Sequence, residues 1–205
     1  KNYYSYNIYG SDLPELEYEG LRTLHIPLPV VDKLKINNSQ VKEYEYGKML
    51  SNNSKGFLGF DKLIESSYFI NYNEDPFYTI TDKNVTELVF TPIFSKDNVW
   101  NSTNPYKYLN LVPKEKKIYK IQQYQLAESS YHPISTTYYT NKYINIDNLR
   151  YIPVTTGIVF EDHINNLKKT TNYTYSGTGM GGEMSSKPKG TLLSEEVIQG
   201  EYIKR

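Results

Sequence analysis

The segment at residues 134–146, ISTTYYTNKYINI, decides the fold class of this chain. Nine of its residues are Ile, Thr or Tyr, which favour pleated, half-buried surfaces. Shorter segments of similar character flank it, separated by turn residues about every 10–15 positions. They lie at 41–46, 67–72, 77–81, 85–94, 150–160 and 191–203. This spacing predicts a mainly β protein, folded as an antiparallel β-sandwich or a partly open barrel.

The composition of the whole chain supports the same prediction. The chain has 205 residues, with 22 Tyr but only one Ala, the best helix former. Ten Pro and 12 Gly, spread along the chain, interrupt most long segments. One or two short helices are still expected, because residues 57–66 place Phe60, Leu63 and Ile64 on one helical face. Two further segments fit either a helix or a strand: 116–127 and 162–169.

Prolines limit where central strands can lie, because proline has no N–H to donate to a neighbouring strand. Pro27 and Pro29 therefore confine their segment to an edge strand or an extended chain. Pro153 and Gly157 are expected to break the strand that follows residue 150.

Clusters of turn residues divide the chain into four parts. We expect an N-terminal arm over residues 1–10, suited to pairing with a neighbour, and a β-rich domain over residues 11–175. Residues 176–190 contain five Gly and one Pro, which predicts a flexible loop. Residues 191–205 then return as the closing strand of the same domain.

Charge and cysteine content exclude several classes of protein. The 23 basic residues balance the 23 acidic residues, so the chain lacks the basic excess of a general nucleic-acid binder. Without cysteine, it has no disulfides, zinc ribbons, iron–sulfur clusters or thiol nucleophiles. No apolar run approaches the roughly 18 residues of a membrane-spanning helix, so we predict no transmembrane segment.

One stretch matches a cofactor motif. Residues 177–182, GTGMGG, satisfy the pattern G-x-G-x-x-G of dinucleotide sites. Such a site needs the turn to open a helix within a βαβ unit, so that the helix N-terminus receives the pyrophosphate. Only 23 residues follow, too few for that helix and a second strand. We therefore predict a mobile loop here and no cofactor.

Metal-binding patterns are incomplete in this sequence. Asn71, Asn73 and Asp75 alternate oxygen-bearing side chains, as at the start of a calcium loop. The glycine of the sharp turn and the closing glutamate of such a loop are both missing, so a hairpin loop is the better prediction. The histidines are isolated from one another, and we predict no metal site; they are His25, His132 and His163.

No catalytic constellation is identifiable, so we predict no catalytic residue and a protein that is not an enzyme. The enzymatic alternative is a glycan-active hydrolase on a β scaffold. It would depend on Glu161, Asp162 and His163, the only contiguous cluster of two acids and an imidazole.

Tyrosine is the most informative residue type in the chain. All 22 cannot lie in a core, because each phenol hydroxyl needs a partner or water. Many are therefore expected at the surface, where tyrosine offers a large amphipathic contact area. Alternation along the strand places Tyr139 and Tyr143 on one face and Tyr138 on the other. The predicted interface residues are Tyr3, Tyr4, Tyr6, Tyr139 and Tyr143.

These observations together predict a non-catalytic structural or adhesive protein that acts outside the cell, at the cell surface or in a virion. It would assemble with itself or dock to other structural proteins through tyrosine-rich β surfaces, with glycans as further candidate partners. The main alternative is a secreted β-pore-forming toxin or a toxin-associated subunit. That alternative needs strands of about 9–11 alternating residues, and of the Ser- and Thr-rich stretches only residues 134–146 come near this length.

Overall fold

The computed structural model describes residues 4–5, 21–24, 29–36, 40–52, 56–69, 82–96, 106–122, 130–147, 150–177 and 187–202. Strands make up 85% of this part of the chain, and it contains no helix, so the mainly β prediction is confirmed. The strands are β1 (Tyr4–Ser5), β2 (Leu21–Thr23), β3 (Val30–Val31), β4 (Lys33–Lys35), β5 (Gln40–Tyr46), β6 (Met49–Asn52), β7 (Gly56–Phe60), β8 (Lys62–Phe69), β9 (Asp82–Lys96), β10 (Tyr106–Gln122), β11 (Ser130–Asp147), β12 (Arg150–Asp162), β13 (Leu167–Tyr175) and β14 (Leu192–Tyr202).

Nine of these strands form one antiparallel sheet in the order β14-β13-β12-β11-β10-β9-β8-β5-β4. From β8 to β14, neighbouring strands of the sheet are consecutive along the chain. At the other end β4 pairs with β5, and β5 pairs with β8, which is the one place in the described sheet where neighbours are not consecutive. A three-stranded sheet (β2-β6-β7) and a two-stranded sheet (β1-β3) accompany it. The large sheet is open and does not close into a barrel, so the described part of it has two edges, β14 and β4.

The helix predicted at residues 57–66 is wrong. The segment instead forms β7 and the start of β8, with a bend at Asp61 between them. The Asp61 carboxylate accepts a hydrogen bond from the Lys48 amide at 2.6 Å, and the Asp61 carbonyl accepts one from the Phe90 amide at 2.7 Å. Long-range pairing therefore overrides the helical spacing of the apolar residues. The second ambiguous segment, 162–169, is a turn that leads into β13.

The large sheet divides at one end into two hairpins. The pairing of β10 with β11 begins at Glu115 opposite Tyr138 and runs towards Gln122. On the other side of this point, the described parts of β9–β10 and β11–β12 continue as separate pairs. Ile93 and Val112 from the first pair are buried, and Tyr143 and Tyr151 from the second pack against them. The two hairpins therefore enclose a small apolar core.

Four prolines lie within strands, and one of them, Pro153, was expected to break its strand. Pro153 and Gly157 both belong to β12, which continues through them with an irregularity in its pairing to β11 beside Gly157. Each of the four prolines lies at a position where the described ladder pairs its strand with a neighbour on one side only. At such a position the missing N–H can face the unpaired side, which makes proline compatible with the strand. They are Pro92, Pro113, Pro133 and Pro153.

The described ends of the glycine-rich segment are tied together beside the β11–β12 hairpin. The buried Ser176 hydroxyl donates to the Pro188 carbonyl and accepts from the Thr191 amide at 3.0 Å. Gly177 has φ of +89°, and a Cβ there would lie 3.3 Å from the buried Ile144 side chain. Glycine is therefore required for this close approach. The centre of the predicted loop, residues 178–186, lies outside the described residues.

Candidate functional site

The edge strand β14 carries the longest run of exposed residues in the described structure. Its inner side pairs with β13, with Thr171 opposite Val197 and Tyr173 opposite Glu195. Within the described part of the chain, no strand pairs with its outer side. All nine residues at positions 192–200 are exposed. An edge of this kind presents unpaired backbone donors and acceptors to another strand.

β14 carries apolar side chains on both faces of the sheet. Val197 and Ile198 are adjacent, so alternation directs them to opposite faces, where they are 44% and 43% exposed. Leu192 and Leu193 at the start of the strand are exposed as well. A strand with one buried and one solvated face would alternate apolar and polar residues. Neither face of β14 is therefore covered by the described residues.

Irregular pairing at both ends leaves a regular central segment in β14. The register with β13 shifts between Thr174 and Tyr175, and again between Lys168 and Lys169. Between these shifts, Ser194–Gln199 pairs residue by residue. The second shift leaves Gly200 unpaired with φ of +103°, a value that favours glycine. The side-chain alternation of Ser194–Gln199 is therefore well defined.

Exposed apolar side chains continue from this edge onto neighbouring strands. The register places Phe160 of β12 and Leu167 of β13 on the same face of the sheet as Val197, and both are exposed. The turn between these two strands carries Ile164, which is 70% exposed. Asp162 holds this turn by accepting hydrogen bonds from the Asn165 and Ile164 amides, which also lower the pKa of its carboxyl group. The apolar edge is thus built on a fixed scaffold.

The opposite edge, β4, is short and basic. It has three residues, Lys33, Leu34 and Lys35, all exposed. Its inner side pairs with β5, where Lys33 lies opposite Glu43. Short strands and lysines are common devices that prevent an edge from pairing with another chain.

A charged network ties β4 to the sheet. The Glu43 carboxylate on β5 accepts hydrogen bonds from Lys33 Nζ at 2.7 Å, the Tyr68 hydroxyl at 2.7 Å and Lys83 Nζ at 3.2 Å. Burial alone would raise the pKa of Glu43, but these three donors outweigh it and lower the pKa to about 2. The hydrogen bond to Glu43 raises the pKa of Lys33. Tyr68 is only 4% exposed, with both lysine ammonium groups 5.7 Å from its ring centre.

This network has the composition of a structural cluster. Its donors and acceptors satisfy one another, and β4, β5, β8 and β9 each contribute one member. The fully buried Val41 lies opposite Tyr68 on the same face, which excludes water from one side of the cluster. We therefore assign it to stabilisation of this end of the sheet.

The predicted interface tyrosines fall into two groups. Tyr3 and Tyr6 lie outside the described residues, and Tyr4 is described only as the backbone partner of Val31 in β1. Tyr139 and Tyr143 lie on one face of β11 and are half-buried. Their role as interface residues stays a prediction.

Tyr143 has a structural role within the chain. Its ring is 5.8 Å from the Tyr151 ring in an edge-to-face arrangement, and it packs against Ile93 and Val112. More exposed tyrosines lie elsewhere in the sheet: Tyr131, whose ring is 4.5 Å from that of Tyr119, and Tyr138.

The two acids of the acid–acid–imidazole cluster lie on different faces of the sheet. Glu161 and Asp162 are consecutive strand residues and point to opposite faces, and Asp162 holds the turn that follows. His163 Nε2 lies 2.8 Å from the Thr136 hydroxyl, a nucleophile–base distance. Thr136 is buried, so its hydroxyl is shielded from solvent. The evident role of this contact is to fix the turn against β11.

Two further features are absent from the described residues. These residues contain no group of three or more His, Cys, Asp or Glu side chains placed to hold a metal ion. They also contain no helix with the length and apolar character needed to cross a membrane.

Comparisons with protein-family models, curated proteins and solved structures find no match to this chain. Its function must therefore be argued from its own geometry, and β14 is the feature that most needs explaining. The sequence predicted a closing strand at 191–203, but its exposure was not predicted. The available signal was the order LLSEEVIQ at 192–199, in which paired apolar and paired acidic residues put both kinds on each face.

Proposed function

We propose that this chain is a non-catalytic structural or adhesive protein, acting outside the cell or in a virion, that assembles by pairing its exposed sheet edge with another polypeptide strand. The carrying observation is β14, an 11-residue edge strand whose residues 192–200 are exposed on both faces. Strand addition to such an edge supplies backbone hydrogen bonds, and the alternate side chains supply specificity.

The contrast between the two edges supports this proposal. The β4 edge is short, basic and tied into a charged network, whereas β14 is long and carries Val197 and Ile198 exposed. A long, exposed, apolar edge favours aggregation unless a specific partner covers it. A structural component that meets its partner by assembly resolves this difficulty.

The proposed contact surface is the β14 edge and not the tyrosines of β11. Tyr143 is engaged inside the chain, so it offers less free area than an interface ring would. The strand edge supplies a contact that needs no tyrosine, although the exposed Tyr138 lies in the same row of the sheet as Ile198.

The test compares one lysine substitution on each edge by size-exclusion chromatography with light scattering. We expect the unmodified chain to form a defined oligomer, and Val197→Lys to reduce it to monomer, because lysine on an edge opposes strand addition. Leu34→Lys is the matched control: Leu34 is 47% exposed on β4, so we expect this variant to remain oligomeric.

Circular dichroism should show that both variants keep the β signature of the unmodified chain. A monomeric unmodified chain would contradict self-assembly through this edge. An oligomer that persists in Val197→Lys but dissociates in Leu34→Lys would move the contact to the wrong edge and overturn the proposal.

A further inference from the structure

We propose that the strand that covers β14 is β14 of a second copy of this chain, paired antiparallel about a two-fold axis through Val197. This inference rests on the proposed function, because it names the partner and the register of the same edge.

Strand length favours a second β14 over the other edge as the partner. Pairing β14 with β4 of another copy would match 11 residues with three. Of the two lysines of β4, Lys33 is already held by Glu43 at 2.7 Å, which leaves only Lys35 to meet the acidic residues of β14. Pairing of β14 with itself uses equal lengths and forms a closed dimer, the commonest symmetry of soluble oligomers.

Sheet geometry restricts the position of the two-fold axis. Two adjacent antiparallel strands of one continuous sheet are related by an axis perpendicular to the sheet, which maps each face onto itself. Directly opposed residues must therefore point to the same face. Val197 and Ile198 point to opposite faces, so they cannot oppose each other. The axis must pass through a residue of the regular segment Ser194–Gln199, not between two residues.

Charge selects one residue among the candidates. An axis through Glu195 or Glu196 would place that glutamate opposite its own copy, and like charges directly opposed are destabilising. An axis through Ile198 would confine regular pairing to three residues, Val197–Gln199, because the bulge at Gly200 interrupts the alternation beyond them. Axes through Ser194 or Gln199, nearer the ends of β14, would leave more of its 11 residues unpaired.

An axis through Val197 avoids both problems. It places Val197 opposite itself, Glu196 opposite Ile198, and Glu195 opposite Gln199, whose amide can donate to a carboxylate. It also keeps five residues of the regular segment, Glu195–Gln199, in direct register with the second copy.

The resulting dimer would stop growing at two copies. Its two nine-stranded sheets would join into one continuous sheet, with β4 at both outer edges. Because β4 is short and its lysines oppose strand addition, neither outer edge invites a third copy. The difference between the two edges thus becomes a device that sets the size of the assembly.

The test is a cysteine scan, for which the chain provides a clean background because it contains no cysteine. Directly opposed residues have Cα atoms about 4.5–5.5 Å apart, within the roughly 4.4–6.8 Å range of a disulfide. Val197→Cys should therefore form a disulfide-linked dimer under mild oxidation. Glu195→Cys alone should not, because its two copies would be offset by four residues, or about 13 Å along the strand.

A mixed sample supplies a second, independent readout of the register. Glu195→Cys mixed with Gln199→Cys should give a cross-linked dimer, whereas Gln199→Cys alone should not. Leu34→Cys, on the β4 edge, is the control for pairing through the wrong strand and should stay uncross-linked. Non-reducing gel electrophoresis measures all five samples, with light scattering of the unoxidised proteins alongside.

The outcomes separate this inference from the proposed function. An oligomer that dissociates in Val197→Lys but cross-links most readily at a β14 position other than Val197 would overturn the register and leave edge assembly standing. Cross-linking that involves Leu34→Cys would overturn the choice of partner strand. Monomers throughout would overturn both proposals together.

Discussion

The two edges of the large sheet solve the same problem in opposite ways. Both β4 and β14 expose a row of backbone groups that could pair with another chain. The β4 edge has three residues, two of them lysines, and its Lys33 is anchored to Glu43 of β5. The β14 edge has 11 residues, with Val197 and Ile198 both exposed.

This difference shows that an edge is protected by what surrounds it as well as by its own residues. Lys33 bonds to both Glu43 and Tyr68, so its charge protects the edge and also fixes β4 to two other strands. On β14, Glu195 and Glu196 are exposed side chains on a strand paired only with β13 in the described structure. The β4 charges are therefore structural, and we expect the β14 charges to select the register of a partner.

The largest effect should come from removing the charge that holds the β4 edge. Glu43→Gln keeps the shape of the side chain but removes its charge, and one of the two oxygens that accept from Lys33, Lys83 and the Tyr68 hydroxyl becomes an NH2 donor. We expect a loss of about 2–3 kcal/mol in the free energy of unfolding, since hydrogen bonds to charged groups are the stronger kind. Urea denaturation measures it.

Glu196→Gln on β14 is the matched control for this substitution. Its side chain is exposed, so we expect the midpoint of unfolding to stay unchanged. Removing a like charge at the edge should, if anything, strengthen association of copies. Equal destabilisation by the two substitutions would show that the edges do not differ in the way described.

The general character of the fold could be predicted from the sequence, and the reason is local. Residues 134–146 have a strong β preference, and they lie within β11, where the pairing with β10 and β12 agrees with it. The error at residues 57–66 has the opposite origin. There Phe60, Leu63 and Ile64 have helical spacing, but pairing to distant strands and the turn at Asp61 decide the structure.

A proline in a β segment indicates either the end of a strand or a strand with an unpaired side, and only the first was predicted for Pro153. Pro153 was expected to end a strand, whereas it lies within β12 where the described ladder pairs that strand on one side. Proline is compatible with a strand that has a free side. In this chain, Pro113 and Pro153 mark the region where the sheet divides into two hairpins, a feature that depends on which strands are neighbours.

The candidate site was less predictable than the fold. The closing strand that begins near Leu192 could be predicted from the sequence. The exposure of Val197 could not, because it depends on the absence of a described neighbour beyond β14. Tyr143 was predicted as an interface residue because it is a tyrosine on a β segment. Its packing against Ile93 and Val112 depends on contact between two separate hairpins. Composition alone does not give such contacts.

Acid should weaken the β4 edge through the same carboxylate, with a somewhat smaller effect than substitution. The pKa of Glu43 is about 2 in the folded chain against an ordinary 4.5, so its contribution to stability is complete above pH 4.5. That contribution is lost as the pH falls from 4.5 through 2. Since the side chain is partly exposed, solvent screening reduces the loss to about 1 kcal/mol.

The measurement is the free energy of unfolding of the unmodified chain and of Glu43→Gln as a function of pH. The difference between the two proteins should shrink as the pH falls from 4.5 towards 2, and high salt should also reduce it at neutral pH. A difference that stays constant across this range would show that Glu43 stabilises the chain by packing, independently of its charge.

The smallest effect should come from the hydroxyl that completes the network. Tyr68→Phe keeps the buried ring but removes a donor to Glu43 at 2.7 Å and an acceptor from Lys33 at 3.0 Å. We expect a loss of about 0.5–1 kcal/mol, because both partners keep another hydrogen bond or ion pair. Tyr138→Phe, at an exposed position, should leave the unfolding midpoint unchanged. If Tyr68→Phe instead cost as much as Glu43→Gln, the hydroxyl and not the lysine pairs would hold β4 in place. The β4 edge would then be secured mainly by the hydrogen bond from Lys33 to the buried Tyr68.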